Sequence, residues 1–262
     1  LVAGGGDNAA GAVGAGIVRA GQAMLSLGTS GVYFAVSDGF MANPQSAVHS
    51  FCHALPGSWH LMSVTLSAAS CLQWYAEQVA HAPVAELLAE LEQGSADTSA
   101  DIAELPLFLP YLSGERTPHN NPNAKGVWFG LSHSTDRKAL TYSVLEGVSF
   151  ALAQGADAVH ASGLQPTEIN LIGGGARSAY WRQLLADILN LPLSFRQSGE
   201  VGPALGAARL ARLAMEPHTP MADICPQPEL ISRHLPDSQR HAVLLPRYSK
   251  FKALYQSLAG HF

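Results

Sequence analysis

Three consecutive glycines, Gly4-Gly5-Gly6, lead into Asp7-Asn8, and no further carboxylate follows until Asp38. Arg19 is the only basic side chain in that interval. A lone acid behind such a turn can cap a helix. Beside a phosphate cradle it can instead take the proton from a hydroxyl as its oxygen attacks a γ-phosphoryl group, and Asn8 could hold a neighbouring sugar hydroxyl. Two further glycine turns could supply the cradle: Gly28-Thr29-Ser30-Gly31, and Gly173-Gly174-Gly175 ahead of Ala176-Arg177-Ser178. Each exposes backbone N–H groups without side-chain cover, and such groups bind phosphate oxygens. Thr29 and Ser30 add hydroxyl donors. Taken singly, a G-x-S-G hairpin is most often only a turn. Three glycine turns in one chain point to phosphate.

Other chemistries fit less well. The segments starting at Gly4 and Gly173 match or approach G-x-G-x-x-A, but a dinucleotide site also wants an acid about 20 residues on. The first copy has none there, and the second has Glu200 as a marginal match. There is no G-x-x-x-x-G-K-[ST] and no G-x-S-x-G, which argues against a P-loop and a serine-hydrolase elbow. His49 and His53 stand at i, i+4 without H-E-x-x-H or a third ligand. Glu115-Arg116 could serve a site, a structural salt bridge or a domain contact equally well.

The elements that must position these residues follow from periodicity. Residues 9–18 are small and apolar, suited to a tightly packed helix whose glycines lower its propensity. Residues 24–37 read as two strands about the 28–31 turn, a hairpin, and 59–66 as a further strand with a helix over 67–80. Residues 93–103 are polar and acidic, an exposed loop, and 108–126 a long ordered loop with three prolines. Cap signals at Ser134–Asp136 open a long helix carrying Leu140, Val144, Val148 and Leu152. Then come a strand into the second glycine turn and a helix whose Trp181, Leu184, Leu185, Ile188 and Leu189 form one stripe. A short strand at 193–196 and a helix with Pro203 in its first turn follow. The proline-spaced 217–246 segment reads as irregular, and a last helix carries Tyr248, Phe251, Tyr255 and Leu258. No repeat is evident. The order points to an α/β layer fold.

Composition bounds the rest. At 262 residues with 13% charged side chains, a net charge of −5 and a pI near 6.1, the chain has no basic footprint for nucleic acid or anionic membrane. Charge this sparse implies a face covered by another domain, a subunit or a ligand. Cys52, Cys71 and Cys225 are odd in number and far apart, which suits a reducing cytosol better than a disulfide framework. No apolar run reaches the length of a membrane helix. Leu1-Val2-Ala3 reads as the tail of a strand already under way, so the chain is taken as part of a longer protein.

"GGGDNAAGAVGAG", "LSLGTSGV", "YLSGERTPHNNP", "GVWFGLSH", "LIGGGARSAYWRQLLAD" and "GPALGAARLA" resemble, in order, segments of the FGGY carbohydrate kinases. The resemblance runs through essentially the whole of residues 1–262 and covers the C-terminal half of such an enzyme. It implies an α/β domain of the actin-like ATPase, ribonuclease-H-like class, a mixed sheet flanked by helices, with its cleft facing an N-terminal domain absent from this chain. It implies ATP with Mg²⁺ and a small sugar, D-xylulose, as reactants in a cytoplasmic enzyme, with the metal reaching the protein mainly through water. Asp7 matches the general base and Asn8 a sugar contact. Gly28 and Thr29 fall in the second phosphate motif, Gly174, Gly175 and Ser178 in the adenosine motif, and Gln73 at a nucleotide-side position. Ala69 stands where relatives often carry glycine, and Ala139 where a polar residue is common. A sister activity on glycerol, ribulose, gluconate or fuculose, or a non-catalytic nucleotide-binding module, is the alternative. An isolated half is expected to fold and to be inactive, and its uncovered face could pair two copies.

Overall fold

The computed structural model describes residues 2–93, 99–197 and 202–262. Glu200 lies outside them, as does part of the segment expected to be an exposed loop. In chain order the elements are α1 (Asp7–Gly14), β1 (Ala23–Leu27), β2 (Gly31–Ser37), β3 (His49–Cys52), β4 (Trp59–Thr65), α2 (Ala69–Tyr75), α3 (Val84–Gln93) and α4 (Ser99–Glu104). There follow β5 (Leu107–Pro110), β6 (Gly126–Phe129), α5 (Arg137–His160), β7 (Ile169–Ile172), α6 (Ala179–Leu189) and β8 (Leu193–Arg196). The chain ends with α7 (Gly202–Met215), α8 (Met221–Ile224), β9 (Leu230–His234) and α9 (Ser238–Leu258).

Seven strands form one mixed sheet in the order β3-β4-β2-β1-β7-β8-β9, and β5 pairs with β6 apart from it. Strands β1, β7 and β8 run parallel; the outer pairings are antiparallel. Period-2 burial divides the sheet between two layers. Leu25, Leu27, Tyr33 and Leu61 join the large core under α5 and α6, whereas Met24, Phe34, Val36 and Met62 pack under α1 with Ala12 and Ile17. The 24-residue α5 is buried along most of its length and opens on the Asp136 carboxylate, which accepts from the Ala139 N–H at 2.7 Å.

Helix α1 is held by close approach to α7, and small residues are the reason that approach is possible. A Cβ on Gly206 would lie 1.7 Å from the Ala10 carbonyl oxygen, and one on Gly14 would lie 2.0 Å from that of Gly202. Arg209 of α7 donates to the Val13 and Gly14 carbonyls, 2.9 Å each, at the C-terminus of α1. There its charge satisfies otherwise unpaired acceptors at the negative end of the helix. Glycine in α1 thus costs propensity and gains an interhelix contact that a larger side chain would forbid.

Several expectations need correction. The first helix spans residues 7–14 rather than 9–18, and residues 2–3 are not in a strand. The 93–103 segment is helical at both described ends, α3 running to Gln93 and α4 starting at Ser99, with Ile102 buried. The proline-spaced 217–246 region contains strand β9, and Pro246 sits inside α9 rather than before it. Packing of Leu244, Arg247, Tyr248 and Phe251 outweighs the missing proline donor. The 108–126 segment, expected to be a loop throughout, starts within strand β5 and ends at the first residue of β6, with which β5 pairs; β3, β5 and β6 have four residues each, too few to show a period.

Candidate functional site

Parallel pairing brings the second and third glycine turns together. Ala23 to Ser26 of β1 lie in register with Ile169 to Ile172 of β7, so the chain leaves both strands at the same edge of the sheet. Gly28 follows one strand and Gly173 the other. Such carboxyl-end crevices of parallel strands are where ligands bind in open α/β sheets. The turns touch: Gly173 has φ +94°, and a Cβ there would come within 2.7 Å of the Leu27 carbonyl oxygen. Glycine is therefore required at 173 twice over. At Gly174 a Cβ would meet nothing within 4 Å, so the space above its backbone is open.

Gly28 and Thr29 are tied down from behind. The Ala68 N–H donates to the Thr29 carbonyl and the Ala69 N–H to that of Gly28, each at 2.9 Å, and the Ser70 hydroxyl donates to Thr29 at 2.7 Å. Thr29 and Ser30 keep their side chains exposed. Helix α2 continues into a π-turn over Ala76–Ala80 that ends at His81 with φ +49°. Gln73 and Glu77 of this stretch are hydrogen-bonded to one another. Ser178 caps α6, its hydroxyl oxygen accepting from the Trp181 N–H at 3.2 Å, with its own proton left to donate.

These residues meet in one cavity of about 980 Å³ lined by Gly28, Thr29, Gln73, Gly174, Gly175 and Ser178. Leu72, Trp74, Val84, Leu88 and Trp181 supply an apolar wall. The volume and mixture suit a drug-sized ligand with one flat apolar end and one polar end. All six residues expected on the nucleotide side line this space, and Ala69, which stands where relatives often carry glycine, lines it as well. Glu77, Trp74 and Trp181 also line it, and nothing in the sequence marks them as site residues: Glu77 is an exposed acid in the π-turn after α2, Trp74 is half-buried, and the spacing of Trp181 reports only the apolar stripe of α6.

Asp7 and Asn8 line a second cavity of about 490 Å³ with His49, Phe51, His60 and Met62. Asp7 is exposed in the first turn of α1, the N-cap being Gly6 with no side-chain cap bond, so the capping role is not the one its carboxyl performs. The Asn8 amide lies 3.4 Å from Asp7 Oδ1. His49 and His53 do not pair as metal ligands: His49 is on β3, while His53 is buried beyond its end with Nε2 3.2 Å from the Ile17 carbonyl. Among the described residues, no group of three or more His, Cys, Asp or Glu gathers as a metal centre.

Glu115 lines neither cavity and takes a structural place. It is 2% exposed, and its Oε1 accepts from the backbone N–H groups of Leu66 at 3.0 Å and Arg116 at 2.7 Å, while Oε2 has no partner. Leu66 precedes the Ala68–Ser70 segment that holds the Thr29 turn, so this carboxyl anchors the turn from the protein side. Burial raises its pKa to about 7 against the opposing pull of those two N–H bonds and the Arg116 charge. An acid whose folded pKa lies above its ordinary value near 4.3 binds its proton more tightly when folded. Its contribution is full below that ordinary value and is lost as pH climbs through about 7. Raising pH from about 4.5 to 7 therefore lowers the thermal midpoint of the parent relative to Glu115→Gln, with no further divergence above. Parallel midpoint curves would refute the assignment.

The sequence matches the FGGY family of carbohydrate kinases, C-terminal domain, over residues 23–215. The xylulose kinase of Escherichia coli (strain K12) is 61% identical over 258 residues, 98% of this chain and 52% of that protein. The xylulose kinase of Klebsiella pneumoniae is 56% identical over the same shares. In solved structures, the xyloylose kinase of Brucella ovis superposes with a TM-score of 0.90 at 43% identity, covering 98% of this chain and 52% of that one. Plasmodium falciparum glycerol kinase with ADP has a TM-score of 0.82 at 19% identity over 97% of this chain and 50% of its own, a likeness of fold alone. The α/β fold with a mixed sheet flanked by helices is accordingly that of the actin-like ATPases. The chain spans about half the length of the curated relatives it matches.

Proposed function

The chain belongs to the FGGY family of carbohydrate kinases, and we propose from that premise that it is the C-terminal, nucleotide-bearing half of an ATP-dependent kinase converting D-xylulose to D-xylulose 5-phosphate. Asp7 is the base that accepts the proton of the sugar's 5-hydroxyl as that oxygen attacks the γ-phosphorus; the leaving pair goes to the β–γ bridging oxygen of ATP. Asn8 holds a neighbouring hydroxyl. Backbone and hydroxyl groups at Gly28 and Thr29 steady the phosphates, Gly174, Gly175 and Ser178 receive the adenosine side, and Gln73 closes the nucleotide cavity beside them.

The observation that carries this reading is the register of β1 with β7, which sets two glycine turns side by side over a cavity of nucleotide size. The exposed Asp7 in its own cavity on α1 supports the second reactant. Xylulose is favoured over other sugars by the names of the 61% and 56% identical relatives. The open space above Gly174 and the hydroxyls of Thr29 and Ser178 fit a phosphorylated adenosine. Glu77 is the one carboxylate lining the nucleotide cavity among the described residues, which suits Mg²⁺ carried on the nucleotide phosphates and hydrated rather than caged by protein. When bound, the ion would offset charge on those phosphates.

A coupled ADP-release assay tests the proposal. The full-length kinase that carries this chain is expected to turn over D-xylulose in preference to glycerol, ribulose, gluconate and fuculose, and the 262-residue chain alone to turn over none. Transfer requires both walls of the cleft to hold the reactants in line. Turnover of another sugar at higher kcat/KM would reassign the substrate. Nucleotide binding with no turnover of any sugar by the full-length protein would favour a non-catalytic module.

A further inference from the structure

The second cavity holds groups that neither the base nor the nucleotide chemistry uses. On β3 and β4, Phe51 stands opposite His60 and His49 opposite Met62, so these four side chains share the sheet face that looks toward α1. His60 is 4% exposed, stacks on Phe34 with ring centroids 4.3 Å apart, and lines the same cavity as Asp7. Its Nδ1 is sealed off with no hydrogen-bond partner. A buried N–H left unpaired is rarer and costlier than an unpaired acceptor, so the ring proton belongs on Nε2, the nitrogen left for an occupant of the cavity. Burial, with the His53 and His49 rings nearby, lowers the His60 pKa to about 4, and burial with Arg116 lowers that of His49.

Both rings are neutral near pH 7, each with one donor and one acceptor. The described wall also contains Phe51 and Met62 and has no lysine or arginine. Arg116 acts on the His49 ring from outside the lining, and the one charged group in the lining is the Asp7 carboxylate, which disfavours an anionic acceptor. The wall matches a neutral molecule with an apolar C–H face and several hydroxyls.

Resting on the kinase reading above, we propose that His60, with His49 beside it on the sheet edge, is a specificity-determining residue that hydrogen-bonds polyol hydroxyls other than the one delivered to Asp7. Neither imidazole touches the reacting oxygen. Their work is to fix which carbon of the acceptor comes forward.

The test uses the full-length kinase, ATP and a panel of monodeoxy ketopentoses. His60→Phe preserves the ring stack and removes the donor. It is expected to raise KM for the parent ketose about tenfold, the weight of one neutral hydrogen bond, with kcat and KM for ATP within about twofold. His60→Gln restores most of the loss. His49→Phe, at a half-buried edge position that tolerates the change, raises KM about threefold and carries the same test should the His60 variant fail to fold. In the parent, one monodeoxy sugar pays the same tenfold penalty, and in His60→Phe that sugar and its parent become equal. An unchanged KM, or a loss equal for every sugar with each deoxy penalty intact, overturns the proposal. Absence of turnover of any polyol by the unmutated enzyme defeats the kinase reading itself, which no histidine variant is needed to show.

Discussion

Asparagine in place of Asp7 lowers kcat of the full-length kinase by about 10²–10⁴-fold, the range ascribed to a positioned general base, and leaves nucleotide affinity within about twofold. The two halves of that expectation come from the two cavities. The carboxylate lines the smaller one, and none of the six residues proposed to touch nucleotide does. Asn is nearly isosteric and cannot accept the proton, so the acceptor should still bind. The rate falls because the attacking oxygen must shed its proton to water. Equal loss of kcat and kcat/KM, with the dissociation constant of ADP unchanged by titration calorimetry, is the signature of a group felt only in the transition state. An Asp7→Asn enzyme turning over at close to the parent rate would remove Asp7 from the mechanism. A fall in nucleotide affinity alone would reassign it to the phosphate cradle.

Why Asp7 and the glycine turns could be found from sequence, while their partners could not, is a matter of what each residue must satisfy locally. Gly173 is needed because its own φ is positive and a Cβ would strike Leu27, and both demands are met by one residue type. Asp7 stands out because its neighbours carry no charge. Strand β7 and helix α6 announce themselves by an apolar run and a stripe, and the Ser178 cap falls between them. His60, by contrast, takes its meaning from Phe34, 26 positions upstream in sequence, and from a cavity closed by α1. Glu115, between β5 and β6, is likewise defined by the N–H it accepts from Leu66, 49 positions upstream. Spacing along the chain cannot report a pairing across a sheet. The same reason hid β3: its pairing with β4 makes it a strand, not its own four residues.

Methionine in place of Arg247 costs about 3–5 kcal/mol of stability, the range for leaving one member of a buried ion pair alone. That corresponds to a lowering of the unfolding midpoint by roughly 10 °C for a domain of this size. Arg247 is 6% exposed and Glu146 is fully buried in the middle of α5. The guanidinium forks onto the carboxylate, Nε to Oε1 and Nη2 to Oε2, both at 2.6 Å. Its remaining N–H groups reach the carbonyls of Ala103 at 3.2 Å, Leu105 at 3.0 Å and Pro106 at 3.3 Å. One side chain therefore ties α9 to α5 and to the strand entry before β5, one residue after the proline that α9 has to accommodate. Removing it strands a carboxylate and three carbonyls together. Lysine should not rescue, because a single ammonium cannot serve that fork and those carbonyls at once. The double variant Arg247→Met with Glu146→Leu should regain most of the loss, since it removes the stranded charge as well as its partner. If Arg247→Met unfolds at the parent midpoint, or the double variant is as unstable as the single, the pair is not what fastens the last helix to the core.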